Sequence, residues 1–514
     1  MADVINNSDN MCTDELDLRV IEIDNNPVMT SGPETPRTID VLSSLNRQDA
    51  GESESYNYEI GQNTDMNTEI KPSEDNSDLQ TQSTILNIGH SENVDTTETD
   101  TNKNLESNPD LGKSENFEEK ETLQENTDMR ISYTSLQYNF ENACQITGAW
   151  KEFRNKDNMF MKGCKWSPDG TCILTNSEDN VLRVFDLPRE LHCQEIWDKD
   201  TRLPEMEPAL KVQEGGIIYD YSWYPLMTSW NPLSCCFVST SKDSPIHLWD
   251  AFTGKLRCTY RAYNVVDEIE SANSLTFSPS GEKLYCGFKN FIRVFNTNYP
   301  GRECTIRNLK RQFPTQKQTG IISCISVNPA LPNIYAAGSY SRSIGVYSEP
   351  HGTLLCLLLG HTGGITHIQF SPDGTKLLSG GRKDSEIICW DIRNPGNILF
   401  TVKREVATNQ RIYFDITSDS QYFVSGNTNG KVNIWDTSQI TEATTPEPVL
   451  APCSVIHAHD DCVNGVSLHQ QYPILATTSG QRHVTCLESE SDSSSENLHC
   501  DTSLKLWWVG KTTT

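Results

Sequence analysis

The sequence predicts an all-β fold in which a disordered acidic N-terminal region precedes a ring of seven similar sheets. Three observations lead to this prediction. Strand-like segments repeatedly end in an aromatic residue, turns of the SPDG type recur in the same register, and the first quarter of the chain differs in composition from the rest. A unit of three or four strands cannot bury its own apolar faces, so the repeats must pack against one another.

The clearest repeat covers residues 360–391. It opens with a Gly-His pair that includes His361, and residues 365–370 then alternate with the period of a strand. The segment 371–374, SPDG, predicts a turn. A second strand and a polar loop follow, and a third strand ends in a Trp-Asp pair that includes Trp390. This order of signals is typical of a WD repeat.

Seven segments of the chain end like the third strand of this repeat. The ends are LRVFD at Phe185, IHLWD at Trp249, IRVFN at Phe295, IGVYS at Tyr347, IICWD at Trp390, VNIWD at Trp435 and LKLWW at Trp507. Their spacing approaches the roughly 40–45 residues of a propeller blade once two insertions are set aside. The sequence therefore predicts a seven-bladed WD-repeat β-propeller over residues 141–514.

The seventh blade needs an outer strand from elsewhere in the chain, because few residues follow Trp507. The strand-like candidate upstream of the first blade is QITGAWKEF, at about 145–153. We expect this segment to complete the seventh blade and so to remove an exposed sheet edge.

Residues 1–140 form the acidic region. Residues 1–130 contain 30 Asp and Glu against 8 Lys and Arg, and no Trp, a composition that predicts disorder. The two insertions, at about 188–214 and 482–501, are predicted to be surface loops. The acid-flanked serines of 489–496 fit a phosphorylated segment and a solvated linker equally well.

The chain shows no long apolar run and no basic, apolar N-terminal leader. We therefore expect a soluble intracellular protein without a membrane segment.

Four residues of the clearest repeat resemble a catalytic set when read as letters: His361, Ser379, Asp384 and Trp390. We interpret them instead as a buried hydrogen-bonded chain that fastens the blade, because blade geometry places them and no GxSxG motif accompanies them. The sequence predicts no enzyme and no small-molecule substrate.

The second insertion contains a possible metal-ligand set, His483, Cys486, His499 and Cys500. The adjacent His-Cys pair is awkward for tetrahedral zinc, so we predict neither metal nor cofactor.

Basic residues accumulate in loops that a propeller opens on one face. With neighbouring aromatic residues they are predicted to contact RNA through phosphates and stacked bases. An ordinary mixed surface and an acidic-peptide site are the alternatives. The candidates are Lys289, Arg307, Lys310, Arg311, Arg342, Arg382, Lys383, Arg411, Tyr340 and Tyr413.

Several phrases are more specific than the repeat itself. They include FMKGCKWSPDG, IIYDYSWYPLM, CGFKNFIRVFNTNYPGREC, GRKDSEIICWDIR, TNQRIYFDI and NGVSLHQQYPILATTSGQR. Through them, residues 140–510 resemble the telomerase Cajal body protein family.

This resemblance implies a non-enzymatic scaffold that binds the Cajal-body box of small Cajal body RNAs, and of telomerase RNA where that RNA has such a loop. It implies that these H/ACA-type particles are directed to Cajal bodies in the nucleus, while the cytoplasm is left open. The partners it implies are dyskerin-containing particles, coilin and the survival motor neuron complex. The alternative is a protein-interaction hub, such as a ubiquitin-ligase receptor or chromatin reader, without RNA binding.

Overall fold

The structure, a computed structural model, describes residues 136–154, 159–310, 317–439, 448–482 and 501–513. Within these ranges the chain forms seven antiparallel sheets, four short 3₁₀ turns and no α-helix. No helix in the described ranges could cross a membrane. The predicted all-β, seven-bladed WD-repeat propeller is confirmed.

Each blade is a sheet whose first strand lies against the first strands of neighbouring blades, around the central channel. Blade 1 consists of Met161–Trp166, Cys172–Ser177, Val181–Asp186 and Leu210–Gln213. Blade 2 consists of Ile218–Trp223, Cys236–Ser241, Ile246–Asp250 and Leu256–Tyr260. Blade 3 consists of Ser274–Phe277, Lys283–Gly287, Phe291–Asn296 and Thr305–Asn308. Blade 4 consists of Ile322–Val327, Ile334–Ser339, Ser343–Ser348 and Thr353–Leu359. Blade 5 consists of Ile365–Phe370, Lys376–Gly381, Glu386–Asp391 and Ile398–Lys403, and Val449–Leu450 pairs in parallel with the last of these strands. Blade 6 is Phe414–Ile416, Tyr422–Gly426, Lys431–Asp436 and Ser454–His457.

Blade 7 contains Val463–Leu468, Ile474–Ser479 and Leu504–Trp508, and its outer strand is Cys144–Ala149 from the other end of the propeller. This strand is shorter than the segment 145–153 expected from the sequence. The Glu205 carboxylate accepts hydrogen bonds from the backbone N–H groups of Trp150 and Lys151, at 2.9 and 2.5 Å. The chain turns there into a 3₁₀ turn because these amides are taken.

The N-terminal boundary of the packed part lies before residue 141. Residues 1–135 of the predicted disordered region lie outside the described residues. Asn139 donates its backbone N–H to Val509 O at 2.6 Å, and the buried Phe140 stacks on Tyr138 and contacts Tyr422. Aromatic packing on blades 6 and 7 therefore orders residues that the composition assigned to the acidic region.

The first insertion is largely exposed, but three of its apolar residues anchor it to the propeller. Its apolar residues Leu191, Trp197 and Met206 are buried in the core shared by blades 1 and 7. Strand Ile196–Trp197 pairs in parallel with Lys511–Thr512. Three scattered apolar side chains therefore decide the position of this segment.

Candidate nucleic-acid interface

The loops that join second to third strands, and outer strands to the next blade, form what we call the upper face. It includes segments 288–290, 340–342, 382–385 and 404–413. The loops of blades 3 to 5 are contiguous there. Lys289 pairs with Ile321, and Tyr340 donates its backbone N–H to Ile321 O at 3.0 Å. The guanidinium of Arg382 lies 4.5 Å from the ring centre of Tyr340.

Two basic residues of this face occupy unusual backbone conformations. The tight turn between second and third strands places one residue at positive φ in six blades. That residue is Asn180, Asp243, Asn290, Arg342, Lys383 or Gly430, from blade 1 to blade 6. Asn, Asp and Gly adopt this conformation readily, whereas Arg and Lys do so at a cost of roughly 1 kcal/mol. Blades 4 and 5 therefore carry a positive charge where the backbone favours a different residue.

These basic side chains form no ion pair with another described residue. Lys289, Arg342 and Lys383 are exposed and Arg382 is half-buried, and none forms a salt bridge to another described residue. Acidic residues of blades 2 and 3 are partly neutralised: Glu270 pairs with Arg293 at 2.9 Å, and Asp267 pairs with Arg302. The four basic residues, which lack such a partner among the described residues, lie on blades 3 to 5.

Two more candidates, Lys310 and Arg311, lie where the described residues break off before resuming at residue 317. Lys310 is exposed at the end of blade 3, and the neighbouring Lys317 is exposed too. Arg311 lies outside the described residues.

Arg307 is not available for RNA contact, contrary to the sequence prediction. It belongs to the outer strand of blade 3 and is buried between Tyr285 and Tyr335. Its guanidinium donates to both carboxylate oxygens of Glu349, at 2.9 and 2.8 Å. A bidentate pair of this kind is a strong internal contact.

Arg411 and Tyr413 also point inward rather than to solvent. Arg411 reaches the central channel, where it donates to Asp220 at 3.1 Å, to Ser323 O at 2.7 Å and to the hydroxyl of the buried Tyr413 at 3.1 Å. Burial alone would raise the pKa of the Asp220 carboxyl, but Arg411 and Lys165 lower it below its usual value. The Arg411–Asp220 ion pair joins blade 2 to the loop before blade 6.

The blade-fastening residues lie within one hydrogen-bonded chain. His361 Nδ1 donates to Asp384 at 2.9 Å, its Nε2 accepts from Ser379 Oγ at 2.7 Å, and Trp390 Nε1 donates to Ser379 Oγ at 2.8 Å. Burial opposes ionisation of Asp384, but His361 and backbone amides lower its pKa to about 2. All four side chains are buried, so no substrate reaches them.

Sequence reasoning missed the residues that occupy the His361 position in other blades. They share a position rather than a residue type, four residues before the first strand. They are Glu214 before Ile218, Glu270 before Ser274, Gln318 before Ile322 and His459 before Val463. Glu214 accepts from Ser241 at 2.8 Å and Trp249 at 3.2 Å. Gln318 accepts from the Tyr347 hydroxyl at 2.6 Å, and His459 contacts Thr477 at 2.8 Å.

Blade 6 departs from this pattern. Arg404 contacts Ser425 Oγ at 3.1 Å, as His361 contacts Ser379, but it precedes the first strand by ten residues. Its side chain is buried with no carboxylate bonded to it among the described residues, and burial lowers its pKa to about 10. Trp435 Nε1 has no hydrogen-bond partner there.

The described residues include no group of three or more His, Cys, Asp or Glu placed to hold a metal ion. His483, Cys486, His499 and Cys500 lie outside them, as do the serines of 489–496.

Comparison with known proteins gives one repeat family and a set of close relatives. Residues 155–186 and 352–391 match the model of the WD domain, G-beta repeat. The chain is 45% identical to telomerase Cajal body protein 1 of Bos taurus over 82% of this chain and 77% of that protein. It is 48% identical to the Homo sapiens protein, over 73% and 69%. A Drosophila melanogaster homolog is 36% identical over 69% and 66%.

Proposed function

The chain belongs to the telomerase Cajal body protein family, and we propose that it acts as a non-enzymatic scaffold that binds RNA. Its ligand is the Cajal-body box of small Cajal body RNAs, and telomerase RNA where that RNA has such a loop. By this binding it directs H/ACA-type particles to nuclear Cajal bodies. Dyskerin-containing particles, coilin and the survival motor neuron complex are the partners expected there.

The observation that carries this proposal is the pair of basic residues at positive φ, Arg342 and Lys383. Blades 4 and 5 are adjacent, and each has a backbone cost of roughly 1 kcal/mol at this turn of the upper face. Neither side chain forms an ion pair with a described residue, so no such contact offsets the backbone cost. We therefore infer that the charges serve a ligand outside the chain.

The neighbouring groups favour an RNA loop over duplex nucleic acid. Tyr340 is exposed and presents an aromatic ring, and Arg382 lies over that ring at 4.5 Å. An aromatic–guanidinium pair stacks on an unpaired base, while lysines on either side contact phosphates. Unpaired bases are accessible in a terminal loop and are not accessible inside a helix.

Charge reversal tests the proposal. We expect Arg382→Glu/Lys383→Glu to weaken binding of a short Cajal-body-box hairpin at least tenfold. The slope of log affinity against log salt concentration should become shallower by about 1 to 2 units, because two phosphate contacts are lost. Titration of a fluorescent hairpin at several salt concentrations measures both quantities.

The matched control is Arg189→Glu/Lys255→Glu, which makes the same charge change at exposed residues of the opposite face. We call this the lower face; its loops join first to second strands and third to outer strands. It should leave affinity and slope within about twofold of the parent. Equal losses in the two variants would show that only net charge matters and would contradict the proposed site.

A protein-interaction hub remains the second candidate, and one observation favours it. On the lower face, loop 224–235 of blade 2 exposes Trp230 to 95% and Leu233 to 84%. Leu233 also lines a cleft of about 300 Å³ that reaches Phe277 of blade 3. An exposed apolar group of this kind marks protein docking sites. A hub without RNA binding predicts no hairpin binding by the parent protein and loss of protein partners on Trp230→Ser.

A further inference from the structure

We infer that the upper-face loop 405–412 holds a recognition site for one unpaired RNA base, and that Asn409 reads the edge of that base. This inference rests on the proposed RNA binding and adds to it a residue that selects sequence. The loop lies beside the charged residues Arg382 and Lys383, so a bound RNA strand would contact both.

In blade 6 the segment between the fastening residue and the first strand is longer than in blade 5. His361 precedes Ile368, the residue that pairs with Ser379, by seven residues, whereas Arg404 precedes Phe414, the residue that pairs with Ser425, by ten. The additional residues do not form a strand or complete the sheet. Part of this segment packs in the propeller, and the rest is exposed on the upper face.

Several contacts hold this loop in one conformation. Arg404 Nη1 donates to Ile412 O at 3.1 Å and so joins the two ends of the loop. Val406 and Ile412 pack with Cys462 in a small buried cluster. Gln410 Nε2 donates to Gly480 O of blade 7 at 3.0 Å, and Arg411 is held in the central channel by Asp220. A loop fixed in this way offers its exposed groups without an ordering cost on binding.

The loop is also joined directly to the basic residues. The backbone N–H of Lys383 donates to Thr408 O at 3.0 Å, and the next residue along the chain is Asn409. Asn409 is exposed, and its side chain forms no hydrogen bond with another described residue. Its amide is therefore available to a ligand, between the anchored residues Thr408 and Gln410.

An Asn amide offers one donor and one acceptor side by side, and adenine offers the matching acceptor and donor at N7 and N6. The uncharged amide gains little from phosphate, while Lys383 and Arg382 supply phosphate contact and stacking. The ligand of Asn409 is thus the edge of a base, and adenine is the base that best matches it.

The test compares base discrimination with salt dependence. Each unpaired base of the hairpin is replaced in turn, and affinities are measured for the parent protein and for Asn409→Ala. The parent should lose about tenfold or more on replacement of one adenine. Asn409→Ala should bind the original hairpin about tenfold more weakly, lose that discrimination and keep the parent's salt slope.

Asn298→Ala is the matched control, because Asn298 is exposed on the lower-face loop of blade 3. It should keep both affinity and discrimination, and equal thermal midpoints will show that each variant folds. Unchanged discrimination in Asn409→Ala, or no discrimination in the parent, would overturn the inference while leaving RNA binding intact. Absence of hairpin binding by the parent would instead contradict the proposed function.

Discussion

Blades 5 and 6 are neighbours with the same strand order, but they are fastened in different ways. In blade 5, a continuous chain of hydrogen bonds runs from Asp384 through His361 and Ser379 to Trp390. In blade 6 the equivalent serine, Ser425, contacts the buried Arg404 instead. The position of Asp384, six residues before the final Trp, is occupied there by the exposed Asn429.

The difference shows what a blade gains when it gives up the usual fastening. In blade 5 only three residues separate His361 from the first strand, because His361 must reach both Asp384 and Ser379. Blade 6 lacks that constraint, since the longer Arg404 side chain reaches Ser425 from a distant backbone position. Its loop can therefore extend over the upper face, insert Arg411 into the channel and expose Asn409.

Removing the fastening of blade 5 should produce the largest effect. His361→Ala leaves the buried Asp384 carboxylate and Ser379 without their central partner, at a cost of about 3 kcal/mol in the free energy of unfolding. Urea unfolding followed by tryptophan fluorescence measures this loss. His351→Ala, which changes an exposed histidine of blade 4, should stay within about 0.5 kcal/mol of the parent. A similar loss in both variants would show that this chain of hydrogen bonds does not stabilise the blade.

The fold could be predicted because its signals are local. Aromatic strand ends and SPDG turns each lie within a few residues, and their agreement determines the blade count. The end of the closing strand could not be predicted, because it depends on Glu205, 54 residues beyond the amide of Lys151 that it binds. Only the fastening of blade 5 was found, and the equivalent His459 and Asp501 of blade 7 were missed because the second insertion separates them in the sequence. Glu214 and Gln318 share the fastening position and differ in residue type.

The prediction of the candidate site also succeeded where the signal is local and failed where it depends on distant residues. Arg382 and Lys383 were placed correctly on the upper face because a tight turn between two strands is a local feature. Arg307 and Arg411 were placed wrongly because their partners, Glu349 and Asp220, lie 42 and 191 residues away. Whether a basic residue in a loop faces solvent depends on such distant carboxylates, and composition gives no information about them.

Acid should distinguish the two blades with a smaller effect. The folded-state pKa of Asp384 is about 2, below its usual 3.8. Its stabilising effect is therefore complete above about pH 4 and is lost as the pH falls through 2, a change of roughly 2 kcal/mol. Blade 6 has no carboxylate at this position.

Urea unfolding at pH values from 5 to 2.5 should show a shallower loss of stability for Asp384→Asn than for the parent. Asp243→Asn is the control, since Asp243 holds the equivalent position in blade 2 with its side chain 85% exposed. It should keep the parent's pH dependence. If Asp384→Asn kept it too, other carboxylates would account for the acid sensitivity of the propeller.

The smallest effect is expected where the fastening is already incomplete. Arg404→Met keeps most of the buried volume and removes a charge that is hydrogen-bonded to no described carboxylate, although Asp384 lies near enough to stabilise it. The relief of desolvation offsets part of the lost hydrogen bonds to Ile412 O, Gly381 O and Ser425 Oγ. We expect a net loss of about 1 kcal/mol in urea unfolding, well below that of His361→Ala.

Arg393→Met, at an exposed arginine of blade 5, controls for loss of charge alone. A loss of about 3 kcal/mol in Arg404→Met would mean that arginine fastens blade 6 as firmly as the His–Asp chain fastens blade 5. The long loop would then be an addition to a complete blade and not a consequence of an incomplete one.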